Sequence, residues 1–236
     1  MIPKIIHQAW FGPGPIPDRF HPWMESIKRY HPGWHIFRWQ CYDRILFPAP
    51  VQDCGCTYPQ TNYSFLKLIR NWGPARYLLE NPYISPVVKS DIFRFEILKS
   101  GGFWLDYDVD CVQCLDQFCG EDFVCGWEHP QHKVIGTAIL GACPDSEVIH
   151  WLASNAVHNC TRTAPTKDNQ LALSGPNMVT AVLRNEYPRI VPLRYQVLYP
   201  IYYDGTGMLH TDTVTRHWWN GLESDGWTKK EWSKPQ

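Results

Sequence analysis

The chain has 236 residues, a formal net charge of −1, and 44% hydrophobic and 14% aromatic residues. That length holds one large α/β domain or at most two small ones, and the apolar share describes a globular protein with a core. The near-neutral charge excludes an electrostatic footprint for nucleic acid or for an anionic membrane surface.

PKIIHQAWF opens the chain as a buried strand closed by the turn-rich GPGPIPD. RFHPWMESIKRYHP reads as a helix, and WHIFRWQ alternates as a strand does. The stretch 41–64, rich in Cys, Pro and Gln, is expected to be irregular. SFLKLIRNW and PARYLLEN are short helical pieces divided by Gly73-Pro74. SPVVKSDIFRFEILKSGG is the clearest helix: Ser85 caps it, Pro86 suits its first turn, and Gly101-Gly102 stop it. FWLD then forms a short strand.

FVCGWE and GTAILGA are expected strands, and SEVIHWLASNAVHN is a helix with Asp145 as its cap. SGPNMVTAVLRNEYP is a helix beginning at Pro176, and IVPL, VLYPIYY and TVTRHWW are expected late strands. Helices alternating with short strands favour a mixed α/β sheet over a barrel, in one domain covering 1–236. No apolar stretch reaches the length of a membrane helix, and the N-terminal segment lacks the apolar run of a signal peptide. A cytoplasmic location is therefore expected.

Nine cysteines, an odd number, cannot all pair within one chain. Cys111, Cys114, Cys119 and Cys125 crowd together, and Cys54 and Cys56 form a further pair. The 111–114 spacing is half of a zinc site that 119 and 125 do not repeat, so reduced, mostly buried thiols are favoured over zinc or disulfides. Asn62-Tyr63-Ser64 and Asn159-Cys160-Thr161 match glycosylation acceptors.

Chemistry concentrates in SGGFWLDYDVDC, residues 100–111, where Asp106, Asp108 and Asp110 stand two apart. On an extended chain they share one face, about 6.6 Å between neighbours, and repel one another unless something positive sits among them. A hard divalent cation such as Mn²⁺ or Mg²⁺ takes such carboxylates and keeps open positions for substrate phosphates. Asp106 and Asp108 are the metal- or substrate-binding candidates, whereas Asp110 reads as a solvated or capping acid.

Upstream, Ser90, Asp91 and Arg94 share a helix. Asp91 and Arg94, three apart, lie on one face with the core-type residues Val87 and Leu98. A charged pair on such a stripe needs partners, and sugar hydroxyls would supply them. Glu128, in FVCGWEHP, is either a nucleophile or acceptor-side base, or a solvated strand-end acid.

The run SDIFRFEILKSGGFWLDYDVD resembles the signature of the D-x-D sugar transferases of the capsular-polysaccharide and yeast outer-chain mannosyltransferase type. It is similar also to the glucosylating domain of the large clostridial toxins. IPKIIHQAWFG resembles the family's first strand, SGPNMVTAVL its later Gly-Pro helix start, and VLYPIYY with TRHWWNGLESDGW its C-terminal aromatic segment. The resemblance thus spans nearly the whole chain.

It implies a GT-A fold, a single nucleotide-binding α/β domain with a mixed, mostly parallel sheet flanked by helices. It implies Mn²⁺-dependent transfer (Mg²⁺ as the alternative) of a hexose from a nucleoside diphosphate sugar with retention of anomeric configuration. A uridine donor is preferred, with GDP-mannose as rival, and the acceptor hydroxyl belongs to a glycan, a lipid-linked sugar or a protein, as in polysaccharide biosynthesis. Trp10 would stack on the base, while Ser90, Asp91 and Arg94 hold ribose and donor sugar. Asp106 would contact ribose and sugar, Asp108 would ligate the metal, and His217 would complete the metal site or touch the diphosphate. Ser224 and Trp227 resemble a mobile segment that closes over the diphosphate.

The chain departs from the family pattern at Trp104, where Tyr is common, at Gly136-Thr137, where Asn is common, and in the longer spacing of LESDGW. Two other classes stand beside the transferase. A metal-dependent nucleotide-sugar hydrolase would use the same acids. A non-enzymatic glycan- or zinc-binding module is suggested by the Trp and Cys content, but it leaves the ordered Asp91, Arg94, Asp106 and Asp108 unexplained.

Overall fold

The structure, a computed structural model, describes residues 1–12, 14–42, 45–49, 72–129, 131 and 134–219. Among these residues the strands are β1 (Ile5–Trp10), β2 (His35–Tyr42), β3 (Ile45–Ala49), β4 (Gly102–Leu105), β5 (Val109–Cys111), β6 (Phe123–Val124), β7 (Trp127–His129), β8 (Val134–Ile135), β9 (Ile139–Ala142) and β10 (Thr215–His217). The helices are α1 (His21–Tyr30), α2 (Pro74–Glu80), α3 (Pro86–Leu98), α4 (Glu147–Arg162), α5 (Gln170–Leu173), α6 (Pro176–Glu186) and α7 (Tyr195–Leu198).

Side-chain alternation along the central strands sets the layers. In β4, Phe103 and Leu105 enter one core with Ile6, Ile27 and Ile139, while Trp104 enters the other with Phe93, Leu140 and Leu152. Two cores on opposite faces of one sheet make a helix–sheet–helix sandwich. The sheet order is β3-β2-β1-β4-β9-β6. β1 pairs in parallel with both β2 and β4, whereas β3, β9 and β6 each join through an antiparallel pairing. The alternating directions leave β2, β1, β4 and β6 running the same way, so the mixed sheet is parallel at its centre. This is an α/β domain of the GT-A type.

Helix α3 forms as its sequence dictates. Ser85 accepts a hydrogen bond from the Val88 N–H, and Pro86 occupies the first turn. The helix is buried from Asp91 to Leu98, which requires the near-continuous apolar composition it has. It stops before Gly101 and Gly102, whose φ angles of 83° and 118° suit glycine alone. Val87, however, is 43% exposed and does not belong to the buried stripe.

Other expectations need correction. Residues 41–42 complete β2 and 45–49 form β3, so the stretch from 41 is not irregular throughout. Tyr195–Leu198 is a helical turn, and IVPL and PIYY contribute only the isolated bridges at Leu193 and Ile201, not strands. FVCGWE divides into β6 and β7 at Cys125-Gly126. The cap position of α4 belongs to Ser146, since Asp145 precedes it with a left-handed φ of 58°. SFLKLIRN, Cys54, Cys56 and the Asn62 acceptor lie outside the described residues. Cys111, Cys114, Cys119, Cys125, Cys143 and Cys160 are free thiols. No helix among the described residues is long and apolar enough to cross a membrane.

Candidate active site

The carboxyl ends of the parallel strands β1 and β4 lie side by side, because Ile6 pairs with Phe103 and His7 with Trp104. This is where open α/β sheets build ligand sites. Trp10 ends β1, and Asp106 follows directly on β4.

Asp106, Asp108 and Asp110 do not share one face of an extended strand. The Val109 N–H donates to the Asp106 carbonyl at 3.0 Å, so residues 106–109 close a turn between β4 and β5. That turn brings Asp106 and Asp108 together and sends Asp110 elsewhere. Asp110 is neither solvated nor a cap. It is buried against Arg216 of β10, which donates to both of its oxygens, Nε to Oδ1 at 2.9 Å and Nη2 to Oδ2.

Behind the turn, Arg94 forks between two acids. Its Nη1 donates to Asp91 Oδ1 at 2.9 Å and its Nη2 to Asp106 Oδ1 at 2.9 Å. Trp104 donates its indole N–H to the same Asp106 oxygen at 2.6 Å, and the guanidinium lies over the Trp104 ring, 5.1 Å from its centroid. Ser174, just before α6, donates its hydroxyl to Asp91 Oδ2 at 3.0 Å. Both Asp91 oxygens are therefore engaged by protein groups. Ser90 is half-buried on α3 and makes none of the site's hydrogen bonds among the described residues.

In front of the turn, His217 Nε2 lies 3.2 Å from Asp108 Oδ1. One ligating atom each from Asp106, Asp108 and His217 falls within 4.8 Å of the others. His217 packs against Trp219, ring centroids 4.2 Å apart, and edge-on to Tyr199 at 6.1 Å. Trp10 reaches this region through Tyr107, the residue between the two acids, with centroids 6.3 Å apart, and it donates its indole N–H to the Gly14 carbonyl at 3.2 Å.

Burial dominates the electrostatics of the cluster. Burial pushes the Asp91 carboxyl up to about 7, against the pull of Arg94 and Ser174. Burial also raises Asp106, opposed by Arg94 and assisted by Asp108. Glu128 of β7 is half-buried, and burial pushes its carboxyl up to about 7, with His217 pulling it down. Burial lowers the His217 imidazole, but Asp108, Asp106 and Glu128 together hold it above its ordinary value. His217 Nδ1 is also buried without a hydrogen-bond partner among the described residues. Two carboxylates and one imidazole suit a hard or borderline divalent cation, so the residues fit Mn²⁺ or Mg²⁺.

The structure therefore gathers Asp91, Arg94, Asp106, Asp108 and His217, with Trp10 alongside. Ser224 and Trp227 lie outside the described residues. Ser174 and Trp219 join the cluster although motif reasoning did not single them out, and Trp104, noted only as a departure from the family pattern, binds Asp106. Ser174 carried a signal, since it immediately precedes the Gly175-Pro176 helix start.

A mixed α/β sheet with an acid cluster after a central parallel strand is of the GT-A-like class, and the chain resembles glycosyltransferases. The chain is 28% identical over 179 residues to an uncharacterized glycosyltransferase of Acanthamoeba polyphaga mimivirus, covering 71% of this chain and 62% of the relative. It is 30% identical over 116 residues to inositol phosphoceramide mannosyltransferase 3 of Schizosaccharomyces pombe, covering 49% of this chain and 26% of the relative. The chain thus spans less than two thirds of either curated relative. Among solved structures, PaToxG glycosyltransferase matches with a TM-score of 0.58 at 20% identity, covering 79% of this chain and 70% of that one. No family model matches the chain. The chain is related to glycosyltransferases in sequence and shares the fold of PaToxG.

Proposed function

We propose that this chain transfers a hexose from a nucleoside diphosphate sugar to an acceptor hydroxyl, with retention of anomeric configuration and dependence on Mn²⁺ or Mg²⁺. The observation that carries the reading is the convergence of Asp106, Asp108 and His217 within 4.8 Å, with Arg94 bound behind Asp106. Asp108 and His217 would hold the cation, with Asp106, one oxygen of which is engaged by Arg94 and Trp104, as the third ligand. When bound, the cation neutralises the charge that develops on the leaving diphosphate.

The chain's own residues then orient and exclude water. Ser174 fixes Asp91, Asp91 fixes Arg94, and Arg94 fixes Asp106, so the acid meets donor ribose and sugar in one pose. Trp10 supplies a flat apolar wall for the base. Retention proceeds by attack on the face the leaving group departs from, with the acceptor proton passing to the departing phosphate oxygen. Glu128 of β7 is the alternative to that phosphate oxygen as acceptor-side base, since it lies close enough to His217 for the two to interact.

Uridine is the preferred base. The fission-yeast relative is named an inositol phosphoceramide mannosyltransferase, which makes mannose from a guanosine donor the rival and a lipid-linked hydroxyl an acceptor class beside glycan and protein. Thermal unfolding with UDP or GDP, each with and without Mn²⁺, tests the reading on wild type and Asp108→Ala. Ligand at about 100 times its Kd adds about 2.7 kcal/mol to the native state. A Mn²⁺-dependent shift with one nucleotide, lost in Asp108→Ala, is expected. No shift with either nucleotide at millimolar levels would overturn the reading. Donor hydrolysis that an acceptor mixture never diverts to product would favour the hydrolase.

A further inference from the structure

His217 stands on β10, a strand of three residues that among the described residues pairs only with β5, itself three residues long and outside the six-stranded sheet. Such a short ladder holds a strand weakly, and its register decides which side chains face the site. A slip of one residue turns every side chain of a strand to the opposite face. In the observed register Thr215, Arg216 and His217 stand opposite Cys111, Asp110 and Val109.

Thr215 and His217 share one face, where the Thr215 hydroxyl donates to the Leu198 carbonyl at 2.9 Å and His217 meets Asp108. Arg216 points the other way and closes on Asp110 through two N–H donors, the directional form of an arginine–carboxylate pair. Its guanidinium also lies over Trp218, 4.9 Å from the ring centroid, and Trp218 stacks on Trp23 of α1 at 5.7 Å. A slip by one residue would set Arg216 against Val109 or Cys111, both buried, and leave Asp110 buried and unpaired. The pair therefore tolerates one register only. Beyond it, the Trp218 N–H donates to the Asp108 carbonyl at 2.8 Å, tying β10 to the backbone of the metal-site acid.

We infer that the Asp110–Arg216 pair is a positioning clasp: by fixing the register of β10 on β5 it presents His217 to Asp106 and Asp108 and so sets the site's affinity for a divalent cation. Neither member touches the cation, and both act through His217. The inference rests on the metal reading above.

Mn²⁺ alone, titrated against the protein and followed by loss of the free-ion EPR signal, tests it without any assay of transfer. Disturbing groups that orient metal ligands lowers affinity about 10–100-fold, and that loss is expected for Asp110→Asn. Arg216→Lys keeps the charge but not the two-point grip, so it retains part of the affinity. The double variant Asp110→Leu/Arg216→Met leaves no buried charge unpaired and should stay folded by circular dichroism, yet bind Mn²⁺ as weakly as Asp110→Asn. It carries the test should Asp110→Asn fail to fold. Adding His217→Ala to either variant should cost little further affinity, because both changes remove the same ligand.

Folded variants that bind Mn²⁺ like wild type would overturn the clasp, as would a fully additive loss with His217→Ala. A wild-type protein that binds no Mn²⁺ at millimolar levels would instead overturn the metal reading on which the clasp rests.

Discussion

Trp104 donates its indole N–H to Oδ1 of Asp106 at 2.6 Å, across a single intervening residue. Tyr is common at this position in the family the chain resembles, and there its hydroxyl would be free to meet ribose. Here the aromatic residue is fully buried and its polar tip is spent on the acid itself. Trp104→Phe keeps most of the ring volume and removes the donor. Hydrogen bonds to charged groups contribute about 1.5–3 kcal/mol, so urea unfolding should show a loss of that size. A variant as stable as wild type would show that the contact does not hold Asp106.

Glu128 gives the fold a pH dependence whose sign is fixed. Burial raises its carboxyl from the ordinary 4.5 to about 7 in the native state. Between those values the native protein keeps a proton that the unfolded chain releases. The associated stability is therefore fully present below about pH 4.5 and is lost as pH rises through about 7. Glu128→Gln removes the titration. Its unfolding free energy should exceed that of wild type at about pH 8, with the gap closing toward about pH 4.5. Parallel curves at every pH would mean that Glu128 is hydrated in solution.

The cysteines should divide by burial. Burial pushes the Cys125 thiol up to about 12 and Cys160 up to about 11, the latter helped by the Asp91 carboxylate, and it raises Cys111 well above its ordinary value. Thiolates are the reactive form. Iodoacetamide labelling at about pH 8, mapped by mass spectrometry, should leave these three unmodified in the native protein and modify them in urea. Rapid native labelling of Cys125 would contradict its placement in the core. Asn159 should likewise carry no glycan after expression in a secretory host, since its amide N–H donates to the Leu173 carbonyl at 3.1 Å from within α4.

What the sequence made legible was local. The cap, first turn and glycine stop of α3 all lie within a few residues of one another, and α3 carries Asp91 and Arg94. The D-x-D acids were legible as a pair, but not how they meet. A two-residue spacing suits a strand, and only the hydrogen bond from Val109 to Asp106 makes it a turn. Asp110 was misread because its partner, Arg216, is 106 residues away, and no local pattern announces a pairing of two three-residue strands. Residues 195–198 carry an apolar pattern that suits a strand equally well. Tertiary packing decides there, burying Leu198 and Tyr199 completely, with the Tyr199 hydroxyl accepting from the Ile139 N–H at 2.9 Å.

That tyrosine also accounts for the departure at Gly136, where the resemblance would put an asparagine and a donor-side amide contact. A Cβ on Gly136 would sit 2.5 Å from the Tyr199 hydroxyl oxygen, inside any van der Waals contact. The volume of an asparagine side chain is already filled by a phenol that also braces β9. Restoring the family residue should therefore harm the protein. Overpacking a core costs about 1–3 kcal/mol, so Gly136→Asn should lose that much stability in urea unfolding. The Mn²⁺-dependent shift with nucleotide should not increase, since Tyr199, displaced toward His217 and Trp219, would disturb the neighbours of the proposed cation site. A Gly136→Asn protein with wild-type stability and a larger nucleotide shift would mean that Tyr199 yields the space readily and that the missing amide, not the packing, sets the donor contact at this position.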